Sequence, residues 1–167
     1  AFFSRGIDST YSASIPRTDP GPIDQLVYCR SLEPVHDPEN SGRELERSKE
    51  VAARLGLPLQ VIWTDLRAFT DPMLGWSSMH GAGLSAMALL VGQAHRAMVI
   101  PSAYDISSQP PCGSHPSLDP LFSTEAVTVF HDHVDRGRQE KIRWLAEHRP
   151  EMLELIKVCY SDNRIDN

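Results

Sequence analysis

The feature that most constrains the fold of this chain is a regular alternation of short apolar runs with helical segments. Four runs have the composition of buried strands, at residues 25–29, 59–64, 97–101 and 126–130, and residues 1–3 have the same character. Apolar runs of this length, bounded by turn-forming residues, are typical of strands in a parallel sheet. Helices between successive strands imply βαβ units with right-handed crossovers. We therefore expect an α/β fold with three layers (α/β/α) and a mainly parallel five-stranded sheet.

The segments between the apolar runs carry helix signals. Residues 41–56 are the clearest case, because Ser41 and Glu44 have the spacing of a capping box and Gly56 stands where a C-terminal cap belongs. Further helices are predicted over residues 8–13, 79–95 and 137–148. Residues 102–120 lack a regular pattern, and loops of that length are usually functional or disordered. The long loop is therefore a candidate part of a site.

Composition narrows the class of protein. A chain of 167 residues, 41% hydrophobic, can bury one core, so a single domain over residues 1–167 is expected, with truncation at both ends left open. The formal net charge of −6 disfavours nucleic acid as a partner. No apolar run approaches the roughly 18 residues of a membrane span. Three cysteines make no disulfide framework, which favours a cytoplasmic location.

A polar stretch with the sequence SRGIDST, residues 4–10, follows directly on the first predicted strand. A strand that leads through a glycine turn into a helix presents unpaired N–H groups, which bind anions. Ser4, Ser9 and Thr10 add hydroxyl donors. Asp8 would repel a phosphate by itself, so it indicates either a helix cap or a Mg²⁺ ligand. The alternative is an ordinary strand–turn–helix in which Asp8 or Ser9 caps the helix.

This stretch resembles the SGGxDS loop of the PP-loop ATP pyrophosphatases, which clasp the pyrophosphate of ATP. It reads Ser4-Arg5-Gly6-Ile7-Asp8-Ser9 here, with Arg5 in place of the first glycine. Within that superfamily the chain is most similar to 7-cyano-7-deazaguanine synthase-like proteins. Residues 137–142, GRQEKI, resemble the K-x-E-I helix start of that family, and residues 158–160, VCY, resemble the S-C-Y that begins its zinc site.

Two features of that family are replaced in this chain. The later cysteines of the zinc site do not occur up to Asn167, and residues 104–123 stand in place of the D-Y-S-G-Y-P substrate stretch. We therefore carry over the ATP chemistry of the family and leave its deazaguanine substrate aside.

The resemblance implies a Rossmann-like fold of the adenine nucleotide alpha hydrolase type and an adenylating enzyme. Such an enzyme converts ATP to AMP and pyrophosphate, and activates a carboxylate or carbonyl oxygen of a small molecule for attack by a nitrogen or sulfur nucleophile. ATP and Mg²⁺ are the implied cofactors, with Zn²⁺ as a third.

The same resemblance implies roles for individual residues. ATP would be bound by Ser4, Arg5, Gly6, Asp8, Ser9, Thr10 and Ser31, the last of these at the adenine or ribose. The implied catalytic residues are Asp8, Arg138 and Lys141. Arg5 would add a cation for the phosphates, Asp8 is the candidate Mg²⁺ ligand, and Cys159 is the candidate Zn²⁺ ligand.

The long loop supplies the remaining candidates. Tyr104, Asp119 and Ser123 are the predicted substrate contacts. Cys112 and His115 have the residue types of a nucleophile–base pair, but the surrounding prolines and glycine favour a shaped substrate loop.

Three histidines are further candidates. His131 and His133 alternate at a strand end and can share one face, which leaves a metal pair and a substrate role open. His80 precedes a helix rich in small residues, where it can cap the helix or face the cleft.

Three functions thus remain open. The first is an adenylating enzyme with a small-molecule substrate, and the second is a catalytically silent ATP-binding module, which the Arg5 replacement would permit. The third is a tRNA-modifying or sulfur-transfer relative, which the acidic balance disfavours. The sequence leaves a homodimer open and predicts no membrane partner.

Overall fold

The computed structural model describes residues 1–30, 32, 38–92 and 95–158. The strands of this part are β1 (Leu26–Arg30), β2 (Leu59–Trp63), β3 (Ala97–Pro101) and β4 (Thr128–Asp132). The α-helices are α1 (Ile7–Ser14), α2 (Pro38–Leu55), α3 (Leu66–Thr70), α4 (Trp76–Val91), α5 (Arg138–His148) and α6 (Pro150–Leu153). A 3₁₀ helix spans Asp119–Phe122. None of the described helices is long and apolar enough to cross a bilayer.

The strands form two parallel pairs instead of one sheet. β1 pairs with β2, and β3 pairs with β4. The predicted α/β class and the parallel direction are confirmed, but the five-stranded sheet of the expected three-layer, Rossmann-like architecture is wrong. Residues 1–3 were predicted to be the fifth strand, but they form only an isolated parallel bridge between Phe2 and Val27.

Residues 1–3 nevertheless join the two pairs through backbone hydrogen bonds. The Phe3 N–H donates to Val27 O at 2.8 Å, and the Val27 N–H donates to Ala1 O at 2.8 Å. On the other side, the Phe2 N–H donates to Val99 O at 2.9 Å. Three residues offer too few consecutive pairings for a strand, so this segment is a connection between β1 and β3.

The start of α2 differs from the prediction because tertiary contacts occupy both residues of the predicted capping box. α2 begins three residues before Ser41, whose hydroxyl accepts a hydrogen bond from Arg30 Nε at 2.7 Å. Glu44 forms an ion pair with Arg5 at 2.6 Å. The capping box at Ser41 is therefore wrong.

The end of α2 follows the prediction. Gly56 directly follows the helix and has a φ of 71°, a left-handed conformation that favours glycine. The Leu57 N–H donates to Ala52 O at 3.0 Å, which closes the last turn in the manner of a Schellman motif.

Two apolar clusters make up the core. One contains Phe2 together with side chains of β1, α4, β3 and β4. The other contains Phe3 together with side chains of β1, α2 and α6. The adjacent residues Phe2 and Phe3 thus belong to different clusters. This arrangement fixes the start of the loop at residues 4–9 between the two clusters.

Candidate functional site

A cavity of about 510 Å³ is lined by residues 2–4 and 6–9, by side chains of β1 and β3, and by residues from α4, the long loop, β4 and α5. Its volume is in the range of small-molecule sites, about 300–1,000 Å³. Apolar lining comes from side chains such as Val27, Leu84 and Ile100, and polar lining comes from two separate sets of residues. The predicted loop at residues 4–9 forms the first polar set.

The loop is held by the hydroxyl groups of its two serines. Ser9 Oγ donates to Gly6 O at 3.1 Å and accepts from the Ser4 N–H at 3.2 Å. The Gly6 N–H donates to Ser4 Oγ at 3.3 Å. Gly6 is the N-cap of α1 and makes no side-chain cap bond. The residues of the first turn of α1 line the cavity, and their N–H groups have no intrahelical acceptor.

Arg5 directs its side chain into the protein. Its guanidinium donates to Glu44 Oε2 at 2.6 Å and to Leu155 O at 3.2 Å, and the residue is 2% exposed. The backbone of Arg5 has a φ of 62°, a conformation that glycine adopts more readily. The buried ion pair explains how arginine is accommodated where the resembling family has glycine. The guanidinium is engaged by Glu44, so it does not reach the cavity and is not placed as the extra cation that the resemblance implied.

The three predicted catalytic residues come together at the start of α1. Arg138 NH2 donates to Asp8 Oδ2 at 2.9 Å, and Lys141 Nζ lies 3.5 Å from Asp8 Oδ1. Lys141 is 1% exposed and also donates to Ser102 O at 2.6 Å. Burial lowers the pKa of Lys141, while the neighbouring Asp8 carboxylate opposes that shift. Arg138 is 55% exposed, so part of its guanidinium faces solvent.

Asp8 is also the residue that could contribute to a metal site. It is the one carboxylate among the described residues that line the cavity. No group of three or more His, Cys, Asp or Glu side chains is arranged to hold a metal in the described part of the chain. Mg²⁺ commonly takes one or two protein carboxylates and completes its shell with phosphates and water. A single carboxylate therefore fits Mg²⁺ bound together with a polyphosphate.

The remaining residues predicted to contact ATP, substrate or zinc do not all line the cavity. Tyr104 lines the cavity and is 43% exposed. Thr10 is 1% exposed, and Ser123 Oγ accepts from the Val129 N–H at 2.9 Å, so both serve the fold. Ser31 and Cys159 lie outside the described residues, and the adenine and zinc roles given to them stay predictions.

The second polar set of the cavity centres on Asp119, which is fully buried. Asp119 Oδ2 lies 2.7 Å from His131 Nδ1 and accepts from Ser114 Oγ at 2.6 Å. His131 and Ser114 line the cavity, and Asp119 lies behind them. Asp119 was predicted to contact substrate directly; here it contacts His131. The sequence pattern singled out both residues but contained no signal that links them across the twelve positions that separate them.

The predicted histidine pair at the end of β4 diverges. His131 turns to Asp119, whereas His133 has a φ of 53° and packs edge-on against the Tyr11 ring at 5.0 Å. His133 Nε2 also lies 3.4 Å from Asp132 Oδ2. The left-handed backbone at His133 breaks the alternation of the strand, so the two rings do not share a face.

Cys112 and His115 also have separate partners. Cys112 lines the cavity, and its thiol donates to Ser114 O at 2.9 Å. His115 Nδ1 accepts from the Ser117 N–H at 3.1 Å. Both interactions are local to the loop, which favours the shaped substrate loop over the nucleophile–base pair.

Protein-family models, curated proteins and solved structures contain no match to this chain. The chemistry of the site is therefore argued from its own residues and their geometry.

Proposed function

We propose that the chain is an ATP-dependent adenylating enzyme that binds ATP in the cavity and releases pyrophosphate. The adenylated oxygen belongs to a carboxylate or carbonyl of a small molecule, which a nucleophile then attacks. The observation that carries this proposal is the cluster of Asp8, Arg138 and Lys141 beside the uncapped start of α1. We place the activity in the cytoplasm, where cysteines such as Cys29 and Cys112 stay reduced.

The charge of this cluster suits a polyphosphate. Two cations and one carboxylate leave a net positive charge at the N-terminal end of a helix, where the helix dipole adds to it. Backbone N–H groups at the start of α1 supply hydrogen-bond donors of the kind that bind phosphate oxygens. The exposed part of the Arg138 guanidinium can form charge-assisted hydrogen bonds with the departing pyrophosphate.

Lys141 and Asp8 have different tasks in this proposal. Lys141 is buried and anchored on Ser102 O, so it holds Asp8 in position and stabilises negative charge without moving. Asp8 would hold Mg²⁺ together with the phosphates of ATP. When bound, this ion neutralises charge on the phosphates and on the leaving pyrophosphate.

The silent-module alternative was raised by the substitution of Arg5 for glycine, and the position of the Arg5 side chain removes that objection to phosphate binding. An arginine side chain standing at the glycine position of the loop would obstruct a phosphate. Here the guanidinium is 2.6 Å from Glu44 and buried, so the loop retains its open backbone despite the substitution.

The test is pyrophosphate release from α-labelled ATP with Mg²⁺, a panel of carboxylic acids and hydroxylamine as a general nucleophile. Asp8→Asn removes the charge that orients both cations, and we expect release to fall by about 10²-fold or more. The matched control is Asp24→Asn, because Asp24 is 78% exposed and precedes β1 at its amino end. This control should retain the activity of the unaltered chain. Circular dichroism establishes that both variants are folded.

Two outcomes would contradict the proposal. Retained turnover in Asp8→Asn would remove the cluster from the mechanism. Tight ATP binding by the unaltered chain with no turnover across the whole panel would assign it to the silent modules.

A further inference from the structure

The second polar set of the cavity has the geometry of a general base held by a carboxylate. His131 Nδ1 lies 2.7 Å from Asp119 Oδ2, and the two side chains are 3% and 0% exposed. A histidine whose Nδ1 hydrogen is bound by a carboxylate presents the lone pair of Nε2 when the ring is neutral. The carboxylate also stabilises the imidazolium that forms when Nε2 takes up a proton.

The position of Asp119 is fixed by its surroundings. It accepts hydrogen bonds from Ser114 Oγ at 2.6 Å and from the His115 N–H at 3.3 Å. Gly81 of α4 packs so closely against Asp119 Oδ1 and Gly113 O that a Cβ at this position would clash with both. The carboxylate, and with it the His131 ring, is therefore held in one orientation.

Ser114 does not act as the nucleophile of a triad in this arrangement. Its hydroxyl donates to the same Oδ2 that faces His131 Nδ1, and it lies 3.4 Å from that nitrogen. A serine activated by this histidine would instead have to face Nε2. The Nε2 atom of His131, whose ring is held by Asp119, is thus available to a group that enters from the cavity.

Three residues that line the cavity carry buried polar atoms without a hydrogen-bond partner in the described part of the chain: His131 Nε2, Gln109 Oε1 and His80 Nδ1. Gln109 Nε2 donates to Ser114 O at 3.2 Å, which orients the amide. Buried polar groups normally have partners, so this set indicates a ligand that supplies them. Acceptors such as Gln109 Oε1 and a neutral His131 Nε2 suit a ligand with more than one hydrogen to donate. An amine fits this requirement better than a thiol.

We propose that His131 is the general base of the transfer step and that Gln109 and His80 help to bind an amine-bearing acceptor. This inference rests on the proposed adenylating function. The amine nitrogen attacks the carbon that bears the adenylated oxygen, and a C–N bond forms. The bond from that carbon to the oxygen of AMP breaks, and its electron pair leaves with AMP. The N–H proton passes to His131 Nε2 and from there to solvent.

The first test needs no substrate. Nitrogen-15 NMR of histidine-labelled protein should show that the neutral His131 ring carries its hydrogen on Nδ1 and none on Nε2. Asp119→Asn should alter this tautomer, and the spectrum of the unaltered chain decides the question even where that variant does not fold. A neutral ring that carries its hydrogen on Nε2 would overturn the assignment.

The second test separates the two half-reactions. His131→Gln should leave ATP–pyrophosphate exchange close to that of the unaltered chain. Transfer to methylamine should fall by about 10²–10⁴-fold, the usual contribution of a general base. Transfer to hydroxylamine, a stronger nucleophile at neutral pH, should fall much less. The control is His148→Gln, an exposed histidine on α5 that should match the unaltered chain in all three assays.

The outcomes distinguish the two proposals. Equal losses of exchange and of both transfers in His131→Gln would make His131 structural and overturn the inference alone. Absence of ATP-dependent exchange in the unaltered chain would overturn the adenylating function, while the NMR result would still decide whether Nε2 is free to accept a proton.

Discussion

Asp8 and Asp119 show how the surroundings of a side chain decide its role in this site. Asp8 faces two cations, Arg138 and Lys141, and remains 15% exposed, so it organises positive charge beside the cavity. Asp119 is fully buried and faces a hydroxyl, an N–H and the ring of His131. The same functional group therefore pairs with two cations in one place and fixes the orientation of a histidine ring in the other.

His133 should make the stability of the protein depend on pH. Burial lowers the pKa of His133 from 6.5, with Asp132 opposing and Arg17 adding to the shift. The unfolded chain then binds a proton before the folded chain as the pH falls, so the free energy of unfolding decreases as the pH drops through the range below 6.5.

Urea unfolding at several pH values tests this prediction. His133→Asn removes the titrating group and tolerates the φ of 53°. We expect a shallower loss of stability in acid for this variant than for the unaltered chain. Identical pH dependence would show that the ring does not titrate in this way.

Among the elements, the buried Glu44 carboxylate joins three parts of the chain through two ion pairs. Glu44 of α2 binds Arg5, in the loop before α1, at 2.6 Å and lies 3.4 Å from Lys157 Nζ, in the segment after α6. The Lys157 N–H in turn donates to Arg5 O at 2.9 Å. The left-handed backbone of the loop is therefore stabilised from two sides by elements far away in sequence.

Glu44→Gln should destabilise the protein strongly. The variant leaves a buried guanidinium without its counter-ion, and breaking such a pair costs about 3–5 kcal/mol. Glu46→Gln on the same helix is the control, because Glu46 is 70% exposed and its pair with Lys49 is solvated. Its effect should stay below about 1 kcal/mol. Equal free energies of unfolding for the two variants in urea would contradict a structural role for the buried pair.

At the scale of the whole molecule, residues 1–3 hold the two parallel pairs together. Their backbone binds Val27 on one side and Val99 on the other, and the side chains of Phe2 and Phe3 enter different core clusters. The cavity lies where this segment continues into the loop before α1. The relation between the two strand pairs and the shape of the site thus depend on the same few residues.

Phe2→Ala should therefore affect both stability and cooperativity. Phe2 is 5% exposed, and removing a buried phenyl ring costs about 3–5 kcal/mol. Phe69→Ala is the control, since Phe69 is 71% exposed and should contribute less than about 0.5 kcal/mol. Chemical unfolding followed by two spectroscopic probes gives the measurement. A stable, fully cooperative Phe2→Ala variant would show that residues 1–3 do not couple the strand pairs.

Much of the local structure was predictable, whereas the sheet was not. The four long apolar runs correspond to β1–β4, and Gly56 ends α2 where its position indicated. These features depend on periodicity and backbone preference over a few neighbouring residues. The prediction of one sheet was wrong at residues 1–3. The sequence pattern shows that this segment is apolar, but it does not show how many residues pair with a neighbouring strand.

The candidate site also has a part that was predictable from the sequence and a part that was not. The resemblance implied catalytic roles for Asp8, Arg138 and Lys141 without relating them in space, and the structure brings the three side chains together. The direction of the Arg5 side chain and the pairing of His131 with Asp119 were not predictable from the sequence. Both depend on which distant or irregular segments pack beside them.

The α/β alternation and most strand and helix positions could be predicted from the sequence, because they follow from short-range chemistry. The division of the strands into two pairs, the turn of Arg5 towards Glu44 and the contact of His131 with Asp119 depend on tertiary packing. The Arg5–Glu44 contact, for example, joins residues that are 39 positions apart. A buried ion pair of this kind forms only when the packing of the whole chain makes burial of charge favourable, and no local pattern encodes that balance.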